Sequence, residues 1–450
     1  MGTERYPRSR ELWERSAQHL VGGVGGNMRG IVGGWRPHPL FFATGSGPFV
    51  WDVDGNRYID YNAGYGPLIL GQKPQAVIDA VKRALDEFGP LLGASHRLEI
   101  EASEKLCQHI PSFERVRYAN SGSEAVMAAL RLARVYTGRD KILRFEGNFH
   151  GQSDTINFSS KPSLDRAGPA DHPTPVPGTG GIPRVLAGEL VMCHWNHVSS
   201  VERALAEHSS DIAAVICEPL PANCGVLEPE PGFLQFLRQE TSARGIVLIF
   251  DEIKSGFRIG LGGAQAYYGV TPDLTVISKA MAAGFPVAAL GGRKELMDLI
   301  LTGKVWQSAT FHSNTIAMAA CVATMAELER PGFYERLLQV SETLQQGLRD
   351  AAAEAGVPVD VQGVGPLFGV MMIAGRPRSY REVVQGVSAE RHAAWWQAML
   401  DRGVLFHPEQ LQSWYVSGAH TEVEIKDTIA MASESFLAVK QAPPADLKPA

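Results

Sequence analysis

The chain has 450 residues, 45% of them hydrophobic and 20% charged, a globular composition and not that of a disordered chain; at ~150 residues per domain the length predicts two or three domains folded as one unit. The 42 Lys and Arg against 48 Asp and Glu leave a net charge of −6 with no concentrated basic stripe, which argues against nucleic acid and against an anionic membrane surface as partners. Five cysteines with no CxxC pair fit a reducing compartment. The start, MGTERYPRSR, lacks the apolar region of a signal peptide, and stretches such as Ile316–Ala326 are too short to span a bilayer. A cytoplasmic protein is expected.

In chain order, ELWERSAQHL has helical spacing and leads into the glycine-rich VGGVGGNMRGIVGG. PFVWDVDGNRYIDY then shows two strand-like runs around Asp54-Gly55-Asn56, a hairpin signal. AVIDAVKRALDEF and EIEASEKLCQHI have helical periodicity, while KILRF, IAAVICEP, GIVLIFDE and LTVISK are short apolar runs rich in β-formers. Strands alternating with helices predict an α/β domain with a mostly parallel sheet covered on both faces. Lys161–Pro183 is rich in Pro and Gly and long for a structureless loop, so it is read as a functional lid or a mobile segment. From about Glu327 the pattern shifts to longer amphipathic helices, FYERLLQVSETLQQGLRDAAAEAG first, with strands near LFGVMM and SWYVSG. This predicts a smaller α+β C-terminal domain and the division 1–70 (N-terminal segment), 71–326 (large domain) and 327–450. The tail QAPPADLKPA reads as frayed.

In an open parallel sheet, ligands sit at the carboxyl ends of the strands. Asn120-Ser121-Gly122-Ser123-Glu124 opens the helix AVMAALRLARVYTG. Its N–H groups, hydroxyls and positive dipole end suit a phosphate, although taken alone the segment reads better as a plain N-cap with Glu124 in the first turn. IVLIF runs into Asp251-Glu252, where a carboxylate needs a partner, either a cofactor or a cap or ion pair such as Arg258. LTVIS runs into Lys279, either a desolvated nucleophilic amine or a snorkelling lysine. A phosphate cradle, an acid and an amine on one sheet edge are together what pyridoxal 5′-phosphate requires. No GxGxxG after a strand, GxxxxGK[ST], HExxH or GxSxG occurs. His194 and His197 lack a third ligand, so no metal site is read.

VRYANSGSEAVMAALRLARVYTGRDKILRFEGNFHG and FDEIKSGFRIGLGGAQAYYGVTPDLTVISKA resemble class III aminotransferases of pyridoxal-phosphate fold type I, most nearly the glutamate-1-semialdehyde 2,1-aminomutase group, from about Leu20 to Phe436. The resemblance implies a large domain of that fold, a small C-terminal domain, and a homodimer with shared active sites. It implies Lys279 as the Schiff-base lysine and Asp251 as the partner of the pyridine nitrogen. Ser121, Gly122 and Ser123 would cradle the phosphate, and Phe149 and Ile253 would flank the ring. Asn223 and Glu218 would lie near its phenolic oxygen, and Thr310 would reach the phosphate of the partner subunit. Taken alone, Phe149 and Ile253 read as core residues and Asn223 and Thr310 as turn or cap residues.

On the substrate side Arg29 falls where the aminomutase group has an arginine for the substrate carboxylate, a task suited to a guanidinium fork. Three departures surround it: Gly26 replaces a serine, Tyr65 of GYGP replaces a tryptophan, and Gln412 of QLQSWY replaces an acid. His312 occupies a position that is normally small, and TPVPGTGGIP, which resembles a gating loop, sits in a longer insertion. The reading is an aminotransferase passing nitrogen between a small amino acid, with an aromatic or apolar group admitted near Tyr65, Trp414 and Tyr415, and an oxo acid. The alternatives are the intramolecular aminomutase and, third, a racemase.

Overall fold

The structure, a computed structural model, describes residues 5–441. The expected frayed tail lies, from position 442 on, outside the described residues, as do the first four positions. The first helix spans Pro7–Ser16, starting earlier than the sequence pattern suggests because proline is suited to a first helical turn. The glycine-rich stretch forms three short 3₁₀ turns, Val21–Gly23, Asn27–Arg29 and Ile31–Gly33. Strands β1 (Phe42–Ser46), β2 (Phe49–Asp52) and β3 (Arg57–Asp60) form an antiparallel meander. The expected hairpin joins β2 and β3 with Trp51 opposite Arg57. Asp52 Oδ1 accepts the N–H groups of Asp54 and Asn56 at 3.0 and 2.8 Å and so closes the turn.

The main sheet has seven strands: β4 (Arg115–Ala119), β5 (Lys141–Phe145), β6 (Leu190–Cys193), β7 (Ile212–Cys217), β8 (Val247–Glu252), β9 (Leu274–Ile277) and β10 (Ala288–Gly292). Their order is β4-β10-β9-β8-β7-β5-β6, and β10 alone runs antiparallel to its neighbours. All residues of β7 and β8 are buried, as a sheet covered on both faces requires. Ile249 faces the core built on helix Gly122–Thr137, while Leu248 and Phe250 face the core with helices Val198–His208 and Phe233–Ala243. Because β10 is antiparallel to both β4 and β9, the last residues of β4, β9, β8, β7 and β5 share one edge of the sheet.

Toward the C-terminus, β11 (Asp360–Val364), β12 (Leu367–Met371), the two-residue β13 (Val404–Leu405) and β14 (Trp414–Tyr415) follow helix Phe333–Ala355. Strands β11, β12 and β14 make a three-stranded antiparallel sheet. β13 pairs in parallel with β3, so one sheet joins the first and last parts of the chain. The Pro/Gly-rich segment at 161–183 is irregular but tied down. Tyr380 Oη donates to Pro162 O at 2.9 Å, and Arg381 donates to Ala167 O and Gly168 O at 3.1 and 2.8 Å. Arg381 also forms a two-pronged pair with the buried Glu146 carboxylate. Among the described residues, no helix is long and apolar enough to cross a membrane.

Candidate active site

The ends of β4, β9, β8, β7 and β5 meet at the carboxyl edge of the main sheet. At the end of β8, side chains alternate between faces, and the two neighbouring acids there take different partners. Glu252 accepts the N–H of Gln265 at 3.1 Å, its side-chain amide at 3.0 Å and the Ser255 hydroxyl at 3.0 Å, so it braces the helix Gly263–Tyr268. Asp251 faces His150: Oδ2 lies 2.8 Å from Nδ1, and Oδ1 accepts the Ile253 N–H at 3.1 Å. Arg258 pairs with neither acid; it donates to the carbonyls of Gly66 and Val416.

Burial raises the Asp251 carboxyl above its usual range, against the pull of Lys279, Lys254 and Arg144. Burial, then the charge of Arg144, pushes His150 down to about 3, so its ring is neutral at pH 7. A carboxylate at Asp251 selects the tautomer with the proton on Nδ1. Nε2 is then left buried with no partner.

Lys279 follows β9 and opens a 3₁₀ turn at φ +48°, a left-handed conformation that side-chain-bearing residues adopt at a cost. Its Nζ donates to the carbonyl of Tyr65 at 2.9 Å. Burial lowers the amine to about 8, with Tyr415 opposing.

At the end of β4, Ser121 caps helix Gly122–Thr137. Its Oγ accepts the Glu124 N–H at 3.3 Å, while Glu124 Oε2 accepts the N–H groups of Ser121 and Asn120 at 3.0 and 2.7 Å. The N-cap expected from sequence is therefore present as a full capping box. The N–H groups of Gly122 and Ser123 remain without an intrahelical acceptor. A Cβ on Gly122 would stand 2.3 Å from Ile253 Cδ1, so glycine lets Ile253 close over the turn. Ser123 Oγ accepts the Gln152 N–H at 3.1 Å.

At the ends of β7 and β5, buried Glu218 accepts the Phe149 N–H at 2.7 Å and the Ala222 N–H at 3.3 Å. Burial and then Asp251 raise its carboxyl. Asn223 Oδ1 accepts Lys254 Nζ at 2.8 Å, and Lys254 also donates to Ala222 O at 2.7 Å.

Of the residues expected on the substrate side, Arg29 is exposed and its charge acts on the Tyr65 phenol. Gln412 Nε2 donates to Glu409 Oε2 at 3.1 Å. Thr310 is exposed and stands apart, lining an open groove of ≈ 770 Å³ with Leu91, Leu92 and Trp306; none of Lys279, Asp251, Glu218 or Asn223 lines it.

His150, Lys254 and Arg144 carry no role in the sequence reading. Arg144 is fully buried, donates to the carbonyls of Ile156 and Asn148, and is lowered by burial to about 9. A charge inside the apolar run KILRF was the available signal for Arg144. No local pattern marked the other two.

The residues fit pyridoxal phosphate. The helix start offers free N–H groups to an anion, the buried Asp251 carboxyl, oriented by a neutral imidazole, can face a pyridinium nitrogen, and the depressed amine can act as a nucleophile. A doubly covered sheet with these groups on adjoining strand ends defines a pyridoxal-phosphate enzyme of transferase fold type I. The sequence pattern of the family Aminotransferase class-III matches residues 33–419. A relative, the glutamate-1-semialdehyde 2,1-aminomutase of Desulforudis audaxviator, is 41% identical over 437 residues, 96% of this chain and 98% of that protein. An omega-transaminase from Sphaerobacter thermophilus superposes with a TM-score of 0.90 at 33% identity over 96% of this chain and 98% of its own. A transaminase solved with pyridoxal phosphate bound gives 0.86 at 29% identity over 97% and 99%. The chain belongs to the class III aminotransferase family.

Proposed function

We propose that the chain is an aminotransferase moving an amino group between a small amino acid and an oxo acid. The single observation that carries this is the gathering of Lys279 and Asp251 on adjoining strand ends beside the first turn of helix Gly122–Thr137. Bound pyridoxal phosphate supplies an electron sink for the pair left when the substrate carbon loses its proton. Lys279, near 8 through burial, is suited to accept and return that proton close to neutral pH. Asp251, oriented by His150, would hold negative charge at the pyridine nitrogen. Ser121, Gly122 and Ser123 would hold the phosphate, Phe149 and Ile253 the ring faces, and Asn223 and Glu218 the side of the phenolic oxygen. Arg29 would take the substrate carboxylate, with Tyr65 and Gln412 beside it.

Exposed Trp306 and Phe311, and an open groove holding Thr310, support a homodimer in which Thr310 serves the neighbouring site. Five cysteines without a disulfide support a cytoplasmic setting. The domain division 1–70, 71–326 and 327–450 is part of the same proposal.

Transfer to an external oxo acid is supported by the substrate-side departures at Gly26, Tyr65 and Gln412 and by the likeness to the omega-transaminase. A second reading has stronger backing from named relatives: the 41% identity to a glutamate-1-semialdehyde 2,1-aminomutase favours an intramolecular transfer. The two part on one assay. Turnover of glutamate 1-semialdehyde with no added acceptor would establish the mutase, whereas strict dependence on an added oxo acid is the outcome expected here.

A further inference from the structure

We infer that Tyr65, Trp35 and His407 form a positioning clamp on the backbone carbonyl of Met28 that presents Arg29 to a substrate carboxylate. The inference rests on the reading of Arg29 above and adds what holds that residue in place. The segment VGGVGGNMRGIVGG has little means of fixing itself, since seven of its fourteen residues are glycine. It folds back upon Met28 so closely that a Cβ on Gly33 would lie 2.4 Å from the Met28 oxygen. That oxygen accepts three donors: Tyr65 Oη at 3.0 Å, Trp35 Nε1 at 3.0 Å and His407 Nε2 at 3.3 Å. A carbonyl offers two lone pairs, so three donors more than fill it and two of them must share one.

The donors come from separate parts of the chain. Trp35 lies just past the glycine-rich turns and is buried, Tyr65 follows β3, and His407 follows β13. Their rings also meet, with the Tyr65 and His407 centroids 5.4 Å apart and those of Trp35 and His407 6.4 Å apart. The His407 tautomer is set by its other nitrogen: Nδ1 accepts the Glu409 N–H at 3.0 Å, so the proton sits on Nε2, which donates to Met28. Glu409 is itself held by Lys161 and Gln412.

Tyr65 joins the two halves of the site. Its hydroxyl holds the turn bearing Arg29 while its carbonyl holds Lys279 Nζ. The turn that carries Arg29 and the amine of Lys279 are thus tied to one residue.

The test uses holoenzyme and two non-reacting probes, 3-phenylpropanoate and 3-phenylpropan-1-ol, with binding followed through the visible absorbance of the cofactor. Tyr65→Phe and His407→Phe are expected to weaken 3-phenylpropanoate roughly 5- to 20-fold and to leave the alcohol unchanged. His407→Gln, which keeps an N–H donor, should recover most of the loss. Arg29→Ala is the control. If it leaves 3-phenylpropanoate binding unchanged, or if the wild type does not bind this probe, the reading of Arg29 fails, and the clamp with it. If Arg29→Ala weakens binding and Tyr65→Phe and His407→Phe do not, or if these variants weaken acid and alcohol alike, the clamp alone is overturned.

Discussion

The two sides of the site are built by different means. On the cofactor side, Asp251, Glu218 and Lys254 are buried, Lys279 is partly so, and each stands at or just beyond a strand end, held by one or two short hydrogen bonds. On the proposed substrate side, Arg29 is exposed on a 3₁₀ turn, and Tyr65 and Gln412 lie on irregular segments. Burial raises the Asp251 and Glu218 carboxyls, lowers Lys279 to about 8 and drops the neighbouring His150 to about 3. Chemistry that must be constant is placed on the sheet, where the backbone is over-determined. The residues proposed for recognition stand on segments that can change without disturbing it.

Substitutions on the two sides should therefore differ in kind as well as in size. The largest loss is expected for Lys279→Ala, at least ~10³-fold in kcat with the fold retained, read by steady-state rates and circular dichroism. Asp251→Asn keeps the shape but removes the charge, and kcat should fall about 10²-fold with little change in KM. Arg29→Ala should show the opposite split, with KM for a carboxylate donor rising ~10- to 100-fold and kcat nearly kept. A fall in kcat alone would erase the distinction drawn between the two sides.

Smaller effects sharpen the contrast without touching turnover. Lys279 titrates near 8 in the folded, cofactor-free protein against 10.5 for an ordinary lysine. Between these values the unfolded chain binds more protons than the folded one, so stability contributed through Lys279 must rise as pH goes from about 8 to 10.5. Across that window the buried cysteines, raised by burial, pull stability down in both proteins, so denaturant midpoints should rise more, or fall less, for the wild type than for Lys279→Met. Ser121→Ala should cost about 1 kcal/mol through the lost cap. Any loosening of pyridoxal phosphate beyond that, measured by equilibrium dialysis, would report the phosphate contact separately from the cap.

How far the sequence could be read follows the same divide. Lys279 and Asp251 were visible because each interrupts an apolar run, LTVIS or IVLIF, and a charge at such a point needs a reason. The Ser121 cap and the Asp54-Gly55-Asn56 hairpin were visible because capping and turn chemistry are local. Strand β10 was not, since AALGG has no β-forming side chains. Its glycines exist because a Cβ at 291 would stand 2.5 Å from Phe113 Cδ1 and one at 292 would stand 2.3 Å from Asp273 O. His150 was missed as a partner because Asp251 lies 101 positions further along the chain. The Met28 carbonyl was missed because a backbone acceptor leaves no mark on composition.

The most direct test of the central claim is a half-reaction. Holoenzyme is mixed with a panel of D-, L- and β-amino acids, and its visible cofactor absorbance is followed before and after addition of an oxo acid. At least one amino acid should bleach the band, an oxo acid should restore it, and Lys279→Ala should abolish the cycle. A band unmoved by every amino acid, or a purified protein that shows none even with added pyridoxal phosphate, would contradict it.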